Sequence, residues 1–236
     1  MEKIVAANLK MNFTYDEVKE YVEKLDGSKN FIVCPPNIYL HMFVNKNYSC
    51  GSQDAYYEDK GAFTGEVSSL QLKSLGVNYT ILGHSERRQL FGDTNCIVNK
   101  KVISALKNNL NVILCIGETK EERDNNETKD VLKEQIENCL KNVSNVEKII
   151  IAYEPIWSIG TGVIPTNDEI KETIDYIKDI FNSLYKNHDV KVLYGGSVNE
   201  KNIDSINSIE NVSGVLVGGA SLDIDKINKI KGVVLK

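Results

Sequence analysis

The chain has 236 residues, 42% hydrophobic and 26% charged, with a net charge of −5. That size and balance suit a soluble globular fold able to bury a core without disulfides or a metal. There is no basic surplus to recruit nucleic acid or an acidic membrane, so any anionic ligand must be held by local groups.

Strand-like segments come first in chain order. Short apolar, β-branched runs recur at 4–9, 30–34, 48–52, 79–82, 112–116, 148–153, 190–194 and 214–217. Few alternate polar with apolar residues, which is the pattern of parallel strands covered on both faces. Between them lie helical periods. Residues 67–75 read as a helix with Gly76 placed to end it, and 95–109 and 121–142 as two more. The clearest is 166–185, where Ile170, Ile174, Ile177, Phe181 and Leu184 recur at three- and four-residue steps behind a Thr166…Glu169 capping box. The charged stretch from Glu121 to Asp130 reads as a solvated helix face. Eight strand–helix alternations predict an α/β protein, a closed (β/α)₈ or TIM barrel, formed as a single domain over 1–236. The competing doubly wound sheet lacks a GxGxxG after the first strand.

Five cysteines, Cys34, Cys50, Cys96, Cys115 and Cys139, are odd in number, widely spaced and without a CxxC pair. They predict a reducing compartment rather than a disulfide framework or a zinc cluster. The apolar stretch 4–9 is too short for a signal peptide, and no run reaches the length of a membrane span, so the expected location is cytoplasmic.

In a barrel the chemistry sits after the C-terminal ends of the strands. Asn8 and Lys10 follow the first strand; on strand alternation they share one face, where Lys10 is either a solvated charge or a fixed cation for an anionic ligand. After the fourth strand come Gly83, His84, Ser85 and Glu86. A lone histidine is often structural; at a helix N-terminus its neutral form is favoured, and it could donate to a carbonyl. Glu154 ends an apolar strand, either as a loop's first salt bridge or as a functional carboxylate. Pro155 and Trp157 stiffen the following loop, Gly160 and Gly162 loosen it and Pro165 ends it, the build of a mobile lid. Gly195-Gly196 and Gly218-Gly219 follow the last two strands, either as tight turns or as a backbone cradle for phosphate.

The segments ANLKMN (7–12), KGAFTGE (60–66), LGHSERRQLFGDT (82–94), LCIGET (114–119), AYEPIWSIGTG (152–162), YGGSV (194–198) and LVGGASL (216–222) together resemble the triosephosphate isomerase family over essentially the whole chain. The resemblance implies interconversion of dihydroxyacetone phosphate and D-glyceraldehyde 3-phosphate in glycolysis and gluconeogenesis. Glu154 would be the base, His84 the electrophile, and Lys10 with Asn8 the stabilisers of negative charge. Gly160, Ser197, Gly218 and Gly219 would bind phosphate. Ser85, Glu86, Cys115 and Tyr194 would support the site, with Arg87 behind it, and Tyr194 and Ser197 would hold the lid closed. No metal and no organic cofactor is implied. The family is dimeric or larger, so the resemblance implies a homodimer in which the loop 53–66 brings Thr64 to the neighbouring subunit's site.

Three departures are local: Leu9 stands where tryptophan is common, Val163-Ile164-Pro165 ends the lid where Lys-Thr-Ala is frequent, and the chain is somewhat short. A metal-dependent epimerase would need several His and Asp ligands at strand ends, whereas His41 and His188 fall elsewhere. A non-catalytic barrel scaffold has no need of Asn8, Lys10, His84 and Glu154 together.

Overall fold

The computed structural model describes residues 2–160, 163–186 and 188–236. Its elements run β1 (Ile4–Asn8), α1 (Tyr15–Lys24), β2 (Phe31–Cys34), α2 (Leu40–Phe43), β3 (Ser49–Ser52), α3 (Ser69–Leu75), β4 (Tyr79–Leu82), α4 (Ser85–Phe91) and α5 (Asn95–Lys107). The second half runs β5 (Asn111–Ile116), α6 (Lys120–Asp124), α7 (Thr128–Cys139), β6 (Ile149–Tyr153), α8 (Asn167–Leu184), β7 (Lys191–Tyr194), α9 (Ile203–Ser208), β8 (Gly214–Val217) and α10 (Ile224–Val234). All eight strands pair in parallel and in sequence order, and β1 closes on β8 with Ile4 opposite Gly214 and Ala7 opposite Val217. Each predicted strand is present to within a residue at its start or end.

Strand alternation divides the core in two. Ile4, Ala6, Ile32, Cys34, Ile81, Ile113, Cys115, Ile150, Ala152, Leu193 and Leu216 fill the barrel. Their neighbours, such as Val5, Ala7, Val33 and Ile151, face the helices. Burial on both faces is why the runs read as continuous rather than alternating. The inward parity of Ala6 continues to Asn8, and that of Ala152 to Glu154, so two polar residues reach the barrel mouth from apolar strands.

The helix α8 has its Thr166–Glu169 capping box, and Ile170, Ile174, Ile177 and Phe181 are buried. Leu184 is not: it is 41% exposed at the helix's last residue, and Ile180 packs inward instead. Gly76 ends α3 at φ 102°, its N–H donating to the Leu72 and Lys73 carbonyls. The continuous helix expected over 121–142 is two. Asn126 takes φ 62°, with its N–H on the Arg123 carbonyl at 2.9 Å and the Glu127 N–H on the Glu122 carbonyl at 2.8 Å. This is a Schellman ending, which asparagine tolerates better than most residues. No helix among the described residues is long and apolar enough to cross a membrane.

Candidate active site

The strand β1 ends at Asn8, and the chain turns at once. The Asn8 side-chain oxygen accepts the Lys10 backbone N–H at 3.0 Å, and Lys10 has φ 51°. A non-glycine residue held there costs on the order of 1–3 kcal/mol. The expected sharing of one strand face is thus corrected: a left-handed turn, not the pleat, brings Lys10 back over the barrel. Gln53 clamps the turn by donating to the carbonyls of Lys10 at 2.8 Å and Cys34 at 2.9 Å. Lys10 Nζ lies 2.6 Å from Glu86 Oε1, a partly solvated pair that aims the lysine more than it stabilises the fold.

Past β4, His84 caps the N-terminus of α4. Its Nδ1 accepts the Glu86 backbone N–H at 3.2 Å, and its Nε2 lies 3.1 Å from Glu154 Oε1. The second Glu154 oxygen accepts the Ser85 backbone N–H at 3.2 Å. Both side chains are almost wholly buried. Burial opposes charge on each, but their contact outweighs it: His84 is pushed above the ordinary imidazole range, and Glu154 is held below the ordinary carboxylate range with help from the Ser85 amide. The Glu86 amide works the other way on His84, because it needs a lone pair on Nδ1 and so leaves the proton on Nε2. Glu154 is the main cause of the raised affinity of His84 for a second proton, with a smaller push from the Glu86 carboxylate 3.7 Å from Nδ1. A ligand that displaced Glu154 from His84 would remove the main push, leaving burial and the amide, which favour the neutral ring, against Glu86.

Cys115 faces the barrel interior and hydrogen-bonds Glu154; burial first, then the carboxylate, push its thiol well up. The other wall is glycine. A Cβ on Gly195 would stand 2.9 Å from Glu154 Cγ, and one on Gly218 would stand 3.2 Å from Lys10 Cε. These two absences let the walls approach. They enclose a cavity of about 380 Å³ floored by Asn8, Lys10, His84 and Glu154 and lined by Gly160, Ser197, Gly218 and Gly219.

The lid segment begins at Pro155. Ser197 Oγ donates to the Ser158 carbonyl at 2.6 Å, and Ser158 Oγ donates to the Val163 carbonyl at 2.7 Å and lies 3.4 Å from Tyr194 Oη. Val163 and Ile164 are solvent-facing. Gly162 of the expected lid, with Thr161, lies outside the described residues. Leu9 is wholly buried, a packing residue.

Eight residues expected at the site thus line one cavity; Ser85 and Cys115 contact Glu154, Glu86 pairs with Lys10, and Tyr194 lies against Ser158 at the start of the lid. Thr64 does not join them: residues 60–66 are exposed on the outside of the barrel. Arg87, its side chain 30% exposed, joins a charge network whose other members are more deeply buried. It contacts Asp54 at 2.9 Å and Asp93 at 3.0 Å, and Lys101, 2% exposed, bridges the same carboxylates. Two positive and two negative charges balance there, so removing one member leaves an uncompensated buried charge.

Sequence reading passed over Gln53, Glu118 and Lys101. Glu118 is fully buried, and its Oε1 accepts the Trp157 indole N–H at 2.8 Å and the Tyr153 hydroxyl at 3.1 Å. Burial raises its pKa. The signal was present: like Glu154, Glu118 is a carboxylate just past an apolar strand. Gln53 and Lys101 carry no local signal, since their partners are distant in sequence.

A parallel eightfold barrel with a buried carboxylate beside an imidazole at a glycine-lined cavity defines a class, the barrel enzymes built for proton transfer on a small ligand. The family description "Triosephosphate isomerase" matches residues 3–233. Proteins of that name from Thermodesulfovibrio yellowstonii and Clostridium botulinum (strain Loch Maree / Type A3) are each 43% identical to the chain. The first match covers 97% of this chain and 98% of the relative, the second 96% and 97%. The crystal structure of triosephosphate isomerase from Bartonella henselae superposes with a TM-score of 0.91 at 33% identity over the whole of both chains. The chain belongs to the triosephosphate isomerase family and is an isomerase.

Proposed function

We propose that this single barrel interconverts dihydroxyacetone phosphate and D-glyceraldehyde 3-phosphate through an enediolate, without a cofactor. Glu154 takes the proton from the carbon beside the carbonyl as that C–H bond breaks. The electron pair moves into the new C=C bond and the carbonyl oxygen becomes an oxyanion. The His84 Nε2–H donates to that oxygen and passes a proton between the two oxygens of the enediolate. Lys10 and Asn8 offset the developing charge. Glu154 then returns its proton to the neighbouring carbon. The amides around Gly160, Ser197, Gly218 and Gly219 hold the phosphate, and closure of 155–165 excludes water.

One observation carries this reading: a buried imidazole donor and a buried carboxylate 3.1 Å apart stand over a cavity walled by glycines. Their mutual bond is what the substrate must interrupt. A homodimer, working in the cytoplasm, is part of the proposal. Met11, next to Lys10, is 94% exposed, and Ile38, Leu90 and Phe91 are exposed too, Met11 and Phe91 lining one cavity with Lys10 and His84. A partner's loop covering them would bury apolar surface and bring Thr64 to the site.

A coupled assay with D-glyceraldehyde 3-phosphate in chelator is expected to show turnover, by a protein that elutes as a dimer. No turnover by the pure dimer would reject the proposal.

A further inference from the structure

Behind the glycine wall a buried hydroxyl ties the two halves of the cavity together. The β1–β8 ladder ends at the pair Ala7 and Val217. The next residues, Asn8 and Gly218, carry the site and are past the ladder. Ser221, fully buried, spans this gap: its Oγ lies 2.6 Å from the Gly218 carbonyl and 3.1 Å from the Asn8 carbonyl. One hydroxyl proton is shared by two carbonyls in a three-centre bond. The Ser221 backbone N–H also donates to the Gly218 carbonyl, at 2.8 Å.

The tie is itself held from outside the barrel. The Tyr21 hydroxyl, on α1, donates to the Ser221 carbonyl at 2.7 Å. The Tyr21 ring is buried, with the Phe13 ring centroid 5.1 Å away and the Phe43 centroid 6.5 Å away. Phe13 belongs to the turn that follows Lys10 and is itself at φ 72°. Tyr21 therefore contacts both the Lys10 turn and the serine behind the glycine wall.

We propose that Ser221, backed by Tyr21, is a positioning residue for phosphate binding. It fixes the spacing between the Asn8–Lys10 turn and the Gly218–Gly219 wall. The proposal rests on the isomerase reading above. Ser221 does not line the cavity, so its effect passes through the two carbonyls it holds. A tie that sets the grip on a non-reacting phosphate acts on binding in the ground state and the transition state alike, and shows in KM rather than in kcat.

The test compares the full-length wild type with Ser221→Ala and Tyr21→Phe, measuring KM, kcat, their pH profiles and the inhibition constant of inorganic phosphate. For Ser221→Ala, KM and the phosphate constant are expected to rise together by about tenfold, as loss of one buried hydrogen bond implies. The kcat should stay within about threefold and the pH profile should keep its shape. Tyr21→Phe should move the same two constants in the same direction by a few-fold. Should Ser221→Ala fail to fold, Tyr21→Phe carries the test with the same readouts. A fall in kcat with KM and the phosphate constant unchanged, or no change in folded variants, overturns the positioning role. A wild type that neither turns over nor binds phosphate overturns the isomerase reading itself.

Discussion

The two walls of the cavity are made of different materials. On the β1, β4 and β6 side, the groups facing the cavity are side chains: Lys10 beside Glu86, and His84 beside Glu154. On the β7 and β8 side no charged side chain lines the cavity, and Gly195, Gly196, Gly218 and Gly219 bring the backbone close to it. The difference follows from what each wall meets. A proton transfer needs groups whose own charge can change, and in a buried site each such group needs a partner. A phosphate keeps its charge throughout, so fixed backbone dipoles suffice, provided nothing bulky stands in front of them. Substitutions should therefore separate the walls, kcat falling on the first and KM rising on the second.

The largest separation is expected at Glu154. Glu154→Gln should lower kcat by about 10²–10⁴-fold, the usual range for removing a general base, with little change in KM. Glu154→Asp retracts the carboxylate by about 1 Å and should cost on the order of 10²-fold. A coupled assay reads both; an unchanged kcat would make Glu154 a structural anion and erase the contrast.

His84→Gln should cost on the order of 10²-fold in kcat through loss of an aligned donor, and it also tests the pairing by pH. Glu154 is lowered from 4.5 in the fold, so its stabilisation is present above 4.5 and lost as pH falls through the lowered value. His84 is raised from 6.5, so its stabilisation is present below 6.5 and lost as pH rises through the raised value. The Tm difference between wild type and His84→Gln should be greatest between pH 4.5 and 6.5 and shrink on either side. A difference flat with pH would show that the pair is not coupled.

On the glycine wall, a Cβ added to Gly219 meets nothing within 4 Å, yet Gly219 lines the cavity. Gly219→Ala should leave Tm within a degree or two and raise KM by about tenfold, one blocked phosphate contact. Gly218→Ala should instead disturb both walls, raising KM and lowering kcat severalfold, because its Cβ meets the Lys10 stem. Thermal melts with steady-state kinetics distinguish them, and equal profiles for the two would contradict the geometry. The smallest effect is expected for Glu86→Gln. The Lys10–Glu86 pair is partly solvated, so its loss should change stability by less than about 1 kcal/mol in urea unfolding.

Much of the fold was legible because the signal was local. A strand buried on both faces announces itself in four or five apolar residues, as at 149–153, and α8 does so by its capping box and isoleucine spacing. Legibility failed where one local preference competes with another. The charged run after Thr119 has the residues of one long helix, but Asn126 takes the left-handed turn that divides it. Leu184 keeps the helical period yet lies where α8 runs out of neighbours to pack against.

By itself the sequence determined the barrel, the strand ends where chemistry collects, the two glycine pairs and the family. The local pattern alone did not separate Glu118 from Glu154, since each is a carboxylate just past an apolar strand; the family motif did. Only the tertiary structure decided that Glu154 meets His84 at the cavity while Glu118 turns away to hold Trp157. It alone also placed Lys10 by a left-handed turn, clamped by Gln53, and brought Tyr21 to Ser221 across 200 residues of chain. The physical reason is one of range. Propensity, capping and periodicity act over a few residues, whereas closing β1 onto β8 joins the two ends of the chain, and the site exists only where that closure makes them meet.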